Sequence, residues 1–218
     1  TAEEVAALLD ESSAEVAVCS TGIIGEYLDI EKLLLGVKSA HAALSPTGGE
    51  DAARAIMTTD TVPKLATITS PAGWTIGGMA KGAGMLAPAL ATMLVVITTD
   101  AVVEAADLDA ALRSATKTTF DRVDSDGCMS TNDTVLLLTS GASDVRPAAA
   151  EFAAAVERVC ADLASQLIAD AEGASKHIAI EVLGATSDED ALDVAPAVSR
   201  SNLFKCAMHG QDPNECRV

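Results

Sequence analysis

Short runs of apolar, often β-branched residues alternate along the chain with stretches whose apolar positions recur at helical spacing. Alternating or continuous apolar runs predict strands, and these lie at residues 15–20, 64–70, 74–80, 92–101, 133–140 and 177–182. Helical spacing predicts helices, and these lie at residues 29–44, 51–57, 105–120 and 147–173, with a last helix that begins near residue 187. This alternation predicts one α/β unit over residues 1–218, without a repeat or a clear linker.

Local signals mark where several of these elements begin and turn. Asp29 is suited to cap the first helix, and Pro71-Ala72-Gly73 predicts a hairpin between the second and third strands. Ser187 and Asp190 resemble a capping box, whereas Pro196 lies within the same helical pattern and is expected to kink or shorten it.

The composition excludes some classes of protein. Apolar residues make up 49% of the chain and aromatic residues 2%, so we expect a core packed from small aliphatic side chains. The formal net charge of −18 argues against binding to nucleic-acid phosphates. Five cysteines without a CxxC pair favour reduced thiols, and the first residues lack the features of a signal peptide. We therefore expect a cytoplasmic protein without a metal or cofactor.

The segment Met79–Ala101, MAKGAGMLAPALATMLVVITTDA, is glycine-rich at first and then strongly apolar. It has no charge between Gly82 and Thr99, and a membrane-spanning helix needs roughly 20 apolar residues. However, glycines and Pro88 interrupt the run, and its second half is rich in β-branched residues. These features favour a buried strand over a membrane span.

Two ligand-binding motifs are incomplete. A phosphate-binding P-loop has its lysine after the second glycine, whereas Lys81 comes before the glycines of its loop. Residues 122–133 resemble a calcium loop with Asp124 and Asp126 in place, but Arg122 occupies the first ligand position and Asp133 replaces the terminal glutamate. We therefore interpret both segments as turns or polar loops.

Thr92 stands at the start of the predicted strand, where a threonine is usually no more than a strand former. The small Ala91 precedes it, and glycines upstream permit strained backbone geometry. The hydroxyl could attack the preceding carbonyl, and hydrolysis of the ester would free an N-terminal threonine. Its α-amine, with an ordinary pKa of roughly 7.7–8.0, could then act as the base for its own hydroxyl. Both interpretations of Thr92 remain open from the residues alone.

Several motifs, in order along the chain, resemble those of the ornithine acetyltransferase family. The members of this family are bifunctional glutamate N-acetyltransferases of arginine biosynthesis. The motifs are CSTGIIGEYL, RAIMTTDTVPK, WTIGGMAKGAGM, KGAGMLAPALATML, VVITTDAVV, STNDTVLLLTSGAS, ADAEG and NLFKCA. The resemblance implies a layered α/β sandwich of sheets flanked by helices, similar in layering to N-terminal-nucleophile hydrolases but with its own topology.

The resemblance also implies a reaction. The precursor would cleave itself between Ala91 and Thr92 into an α-chain part (1–91) and a β-chain part (92–218), which stay associated, in a pair of αβ units. Thr92 would accept acetyl from N-acetylornithine, or from acetyl-CoA as a second possible donor, and glutamate would remove it.

Further roles follow from the resemblance, residue by residue. Thr21 and Gly22 match the oxyanion-hole pair of the family, and Thr58, Lys81 and Glu172 match its substrate-binding positions. A cation suits a substrate carboxylate and an acid suits an amino group. From the residues alone, Lys81 would be a solvated loop lysine and Glu172 a helix-end residue.

Departures from the family pattern leave alternatives. Glu215 and Cys216 replace a Trp-Gly pair, and both ends suggest an incomplete fragment. One alternative is an N-terminal-nucleophile amidase or aminopeptidase that passes the acyl group to water; another is a non-catalytic fragment of such a gene.

Overall fold

A four-stranded mixed sheet forms the framework of the computed structural model, which describes residues 1–23, 25–87 and 92–213. Its strands, in sheet order, are β1 (Lys64–Thr69), β2 (Thr75–Lys81), β3 (Leu94–Thr99) and β4 (Thr134–Thr139). The first three strands are antiparallel neighbours, whereas β4 is parallel to β3. A parallel pair requires a crossover connection, and a helix between β3 and β4 provides it.

Helices account for most of the remaining regular structure. They are α1 (Ala2–Leu9), α2 (Ile30–Ala42), α3 (Gly49–Ala55), α4 (Ala105–Thr118), α5 (Ala149–Ala169), α6 (Asp188–Ser199) and α7 (Asn202–Gly210). Short 3₁₀ turns lie at Ser13–Glu15 and Phe120–Arg122. The α/β class, with a sheet flanked by helices, is confirmed.

Helix α5 forms the core with one face of the sheet. The apolar positions predicted to share one face of this helix are all buried, namely Phe152, Val156, Val159, Leu163 and Leu167. The helix packs against β1, β2 and α4. Alternate residues of the strands meet it, because successive side chains of a strand point to opposite faces. The helix begins two residues after the predicted Pro147.

The predicted caps and hairpin are confirmed. Asp29 accepts a hydrogen bond from the Lys32 N–H at 3.1 Å, and Ser187 accepts one from the Asp190 N–H at 3.1 Å. Residues 70–74 form the turn between β1 and β2, with Gly73 at φ 96°. Pro196 lies inside α6, which nevertheless continues to Ser199.

Two predicted strands are wrong. Residues 15–20 and 177–182 lie outside the sheet, and most of them are exposed. An apolar run becomes a strand only where a neighbouring strand satisfies its backbone hydrogen bonds, and the described residues offer neither segment such a neighbour. Helices α1 and α7 were not predicted.

Within the Met79–Ala101 segment, Leu94–Thr99 form strand β3, as predicted, whereas residues 88–91 lie outside the described part of the chain. In the described part of the chain, none of the helices combines the length and apolarity that crossing a bilayer demands.

Candidate active site

The connection between β2 and β3 places Lys81 near Thr92. Lys81 is the last residue of β2 and pairs across the ladder with Leu94, two residues after Thr92. The N–H of Thr92 donates to the carbonyl oxygen of Met85 at 2.8 Å. The loop that begins after Lys81 therefore returns to the same end of the sheet. Ala91 lies outside the described residues, so the cleavage site stays a prediction.

Two glycines allow other groups to approach this loop closely. Gly82 has φ +153°, and a Cβ there would lie 3.1 Å from the carbonyl oxygen of Thr92. A Cβ on Gly84 would lie 3.0 Å from the carboxyl carbon of Glu172. The absence of side chains at these positions thus lets Thr92 and Glu172 contact one loop.

Glu172 lies in the turn that follows α5. Its N–H donates to the carbonyl oxygen of Ala83 at 2.6 Å, which fixes its backbone against the glycine-rich loop. The helix ends at Ala169, before the predicted end at Glu172-Gly173. Glu172 is exposed, so its carboxylate is accessible for a ligand.

Lys81 is a buried cation, not the solvated loop lysine that the residues alone suggest. Only 2% of its side chain is exposed, and Nζ lies 4.0 Å from Oδ2 of Asp60. Burial lowers the pKa of Lys81, with Lys64 adding to the decrease, while the negative charges of Asp60, Asp133 and Glu172 partly oppose it. An ammonium in a water-poor position interacts more strongly with a ligand anion than one in bulk solvent.

Thr58 is joined to the same carboxylate. This exposed residue donates its backbone N–H to Oδ2 of Asp60 at 3.1 Å. Asp60 also accepts the N–H of Gly82 at 2.7 Å. The predicted binding residues Thr58 and Lys81 therefore meet at Asp60, a residue that sequence reasoning missed.

Asp133 is a second residue that sequence reasoning missed. Its Oδ1 accepts the N–H of Met93, the residue after Thr92, at 3.1 Å. Burial raises the pKa of Asp133 to about 6, against the opposing effects of this hydrogen bond and of Lys81. In the sequence, Asp133 stands only where a calcium loop would have its terminal glutamate. The pairing of Leu94 with Thr134 in the parallel strands is what brings it here.

The aspartates of the incomplete calcium loop bind protein donors. Asp126 accepts the N–H of Met85 through Oδ2 at 2.8 Å, and Met85 in turn holds the N–H of Thr92. Asp124 accepts hydrogen bonds from Ser199 Oγ at 2.8 Å and from Arg200 Nε at 2.9 Å. The loop thus supports the segment before Thr92.

Thr21 and Gly22, the predicted oxyanion-hole pair, lie in an irregular segment before α2. The side-chain amide of Asn132 donates to the carbonyl oxygen of Ser20 at 3.0 Å, which links this segment to the start of β4. Among the described residues, no hydrogen bond joins Thr21 or Gly22 directly to Thr92. Their role stays a prediction.

An open groove of about 1010 Å³ lies between α5 and the α6–α7 pair. Glu172 lines it, whereas Thr58, Lys81 and Thr92 do not. The groove therefore extends away from the glycine-rich loop and does not by itself define the site.

The fold and the site place this chain among mixed α/β proteins in which a hydroxyl residue, a buried lysine and acidic side chains surround one glycine-rich loop. The sequence model of the ArgJ family matches residues 1–218, and the chain belongs to that family. The family resemblance stated from the motifs is thereby confirmed.

Curated relatives carry the name "Arginine biosynthesis bifunctional protein ArgJ". The protein of Streptomyces avermitilis is 64% identical over 218 residues, covering 100% of this chain and 57% of that protein. The protein of Mycobacterium leprae is 58% identical over 225 residues, covering 100% of this chain and 55% of that protein. The chain thus spans little more than half the length of these relatives.

A crystal structure of Arginine biosynthesis bifunctional protein argJ from Bacillus halodurans is similar in fold. The similarity has a TM-score of 0.51 and 39% sequence identity, and it covers 56% of this chain and 59% of that chain. It supports the α/β fold class.

Proposed function

We propose that this chain is part of a self-processed acetyltransferase of arginine biosynthesis. In this proposal, Thr92 takes acetyl from N-acetylornithine and passes it to glutamate, and acetyl-CoA is a second possible donor. The relatives' name supports the pathway. The convergence of Thr92, Lys81 and Glu172 on the glycine-rich loop is the observation that supports the site.

Self-cleavage would use the hydroxyl of Thr92. Its Oγ attacks the carbonyl carbon of Ala91, the C–N bond breaks, and the hydroxyl proton passes to the threonine nitrogen, which becomes a free amine. Water then hydrolyses the ester, leaving a carboxylate on Ala91. The hydrogen bond from the Thr92 N–H to the carbonyl oxygen of Met85 supports this step, because it fixes the position of the nitrogen that leaves.

Acetyl transfer would use the same oxygen. The free α-amine accepts the proton of Oγ, and Oγ attacks the acetyl carbonyl carbon. The C–N bond then breaks, and the α-ammonium returns the proton to the nitrogen of the departing ornithine. The N–H or hydroxyl donors of Thr21 and Gly22 would stabilise the oxyanion, a contribution of about 2.7–4 kcal/mol per donor in other acyl-transfer enzymes. Glutamate then attacks the acetyl-threonine, and N-acetylglutamate leaves.

The binding residues have complementary charges for an amino acid. Lys81 would bind the α-carboxylate, Glu172 would bind an amino group, and Thr58 would contribute a hydrogen bond. The buried position of Lys81 and the exposed carboxylate of Glu172 support this division. The α-chain and β-chain parts, residues 1–91 and 92–218, would remain associated in paired αβ units.

Intact-mass measurement of the full gene product that contains this chain tests the proposal. We expect two fragments separated between Ala91 and Thr92, and one uncut chain for Thr92→Ala. The matched variant Thr92→Ser keeps a hydroxyl and should still be cut. With N-acetylornithine and no glutamate, the fragment beginning at Thr92 should gain the mass of one acetyl group.

The acceptor is tested separately. Glutamate should be required for rapid turnover, and N-acetylglutamate should form in step with ornithine. Release of acetate at the same rate without glutamate would instead identify an amidase. An uncut full-length wild-type chain would contradict self-processing.

A further inference from the structure

Asp60 is a buried carboxylate at the junction of the segments that contain the proposed binding residues. Its side chain is fully buried. Oδ1 accepts the N–H of Gly82 at 2.7 Å and a hydrogen bond from Lys64 Nζ at 2.7 Å. Oδ2 accepts the N–H of Thr58 at 3.1 Å and lies 4.0 Å from Lys81 Nζ. One carboxylate therefore contacts the loop before β1, the start of β1 and the end of β2.

The network continues to the end of α5. Lys64 Nζ also donates to Oδ2 of Asp170 at 2.6 Å. Asp170 in turn accepts hydrogen bonds from the backbone N–H and the hydroxyl of Thr61. Because Asp170 is two residues before Glu172, the third proposed binding residue belongs to the same connected unit.

The two lysines of this network differ in the number of their acidic partners and in the distance to them. Lys64 makes short ion pairs to Asp60 and Asp170. Lys81 has one ion pair among the described residues, the 4.0 Å contact with Asp60, which is longer than a hydrogen bond. Asp60 thus compensates the charge of Lys81, while no side chain or carbonyl among the described residues accepts a hydrogen bond from the ammonium group.

A gain in folding stability does not by itself explain why the chain buries these charged side chains. Replacing a buried ion pair by apolar residues is often neutral or stabilising, so buried charge is better explained where it fixes one geometry. Asp60 is held in its ionised form: burial acts to raise its pKa, but the hydrogen bonds from Gly82, Lys64 and Thr58 outweigh burial and lower it.

We propose that Asp60 is a positioning residue for substrate binding, which holds the Lys81 ammonium and the Thr58 loop in one geometry so that they bind a single substrate carboxylate. This proposal rests on the proposed function for the identity of the substrate. The contacts that support it are those of Asp60 itself.

The test compares Asp60→Asn with Asp170→Asn in the full self-processed protein. Each substitution deprives Lys64 of one charged partner, so both should lower Tm. Only Asp60→Asn removes the charge next to Lys81, and it leaves one oxygen in place of the two that accept from Gly82, Lys64 and Thr58. We expect its KM for N-acetylornithine to rise at least about tenfold, the equivalent of 1.4 kcal/mol, whereas Asp170→Asn should change KM less than about threefold.

A triple variant separates positioning from stability. Asp60→Asn combined with Lys64→Met and Asp170→Asn replaces all three charges of the buried network by neutral side chains, which should recover much of the lost Tm. The raised KM should remain, because Lys81 still lacks its partner. Recovery of the wild-type KM together with Tm would overturn the proposal, as would equal KM values for the two single variants.

A spectroscopic arm does not depend on catalysis. With ε-¹³C-labelled lysine and the Lys81 signal assigned through Lys81→Arg, Asp60→Asn should lower the pKa of Lys81, since the negative charge of Asp60 raises it. Asp170→Asn should leave this pKa unchanged. An unchanged Lys81 titration in Asp60→Asn contradicts the positioning role, whereas absence of acetyl transfer by the wild type contradicts only the proposed function.

Discussion

Gly84 leaves room for the Glu172 carboxylate because it has no Cβ. We expect Gly84→Ala to displace the Glu172 carboxylate, because the new Cβ would lie 3.0 Å from its carboxyl carbon. The obstructed group is the end of an exposed, flexible side chain, so stability should change by less than about 1 kcal/mol. KM for N-acetylornithine should rise about tenfold, measured by initial rates.

Gly77→Ala is the matched control for this substitution. A Cβ on Gly77 would meet nothing closer than Thr67 Oγ1, at 4.0 Å. Equal kinetic effects of the two substitutions would show that Glu172 does not bind substrate from its position beside Gly84.

The raised pKa of Asp133 predicts that the free energy of unfolding depends on pH. Its pKa is about 6 in the folded chain against 3.8 unfolded, so the folded state binds the proton more tightly. Stability from this group is therefore present at about pH 4 and is lost as the pH rises through about 6. Asp133→Asn, which retains an oxygen for the Met93 N–H, should lack this loss.

Urea unfolding of the wild type and Asp133→Asn at several values between pH 4 and 8 provides the measurement. The free energy of unfolding of the wild type should fall relative to the variant as the pH rises. Two curves with a constant difference would contradict the raised pKa.

These residues also mark what sequence could predict of the site. Thr92, Lys81, Thr58 and Glu172 were found through motif resemblance. Asp60 and Asp133 were missed because their importance comes from burial and from strand register, and neither is visible in the local sequence. Their contacts with Gly82 and Met93 exist only after the sheet has formed.

For helices and strands, the spacing of apolar residues predicted an element correctly where a neighbouring element packs against it. The apolar stripe of α5 predicted its buried face, and we expect Leu163→Ala to lower the free energy of unfolding by about 2–5 kcal/mol, because Leu163 is fully buried. Leu138→Ala, the same deletion on a half-exposed residue of the edge strand β4, should cost less than about 1 kcal/mol. Denaturant unfolding of both variants measures the difference, and equal losses would contradict the assigned core.

Residues 15–20 and 177–182 show the limit of such patterns. Their alternation of apolar and polar residues is suited to a strand, but hydrogen bonding to a neighbour is a property of the sheet and not of the segment. The element boundaries that were predicted well, at Asp29 and Ser187, depend instead on local caps.

For the whole molecule, burial is concentrated in one part of the fold. Strands β2 and β3 and helix α5 contain most of the fully buried side chains, whereas α2 and α6 contain no buried residue. Helix α2 packs against α1, and α6 against α7, instead of against the sheet. Opening a helix without buried apolar contacts exposes little new surface, so its amides should open with a smaller free energy than the core.

Hydrogen exchange of the 218-residue chain tests this prediction. Helices α2 and α5 form a matched pair, because both are amphipathic and continuous over at least three turns but only α5 packs on the sheet. We expect α2 amides to exchange through local opening, and α5 and β3 amides only through global unfolding. Mild denaturant should therefore accelerate exchange in α5 and β3 while leaving α2 nearly unchanged. If α2 showed the same denaturant dependence as α5, the chain would open as one unit, and α2 would have to be stabilised by more than its packing against α1.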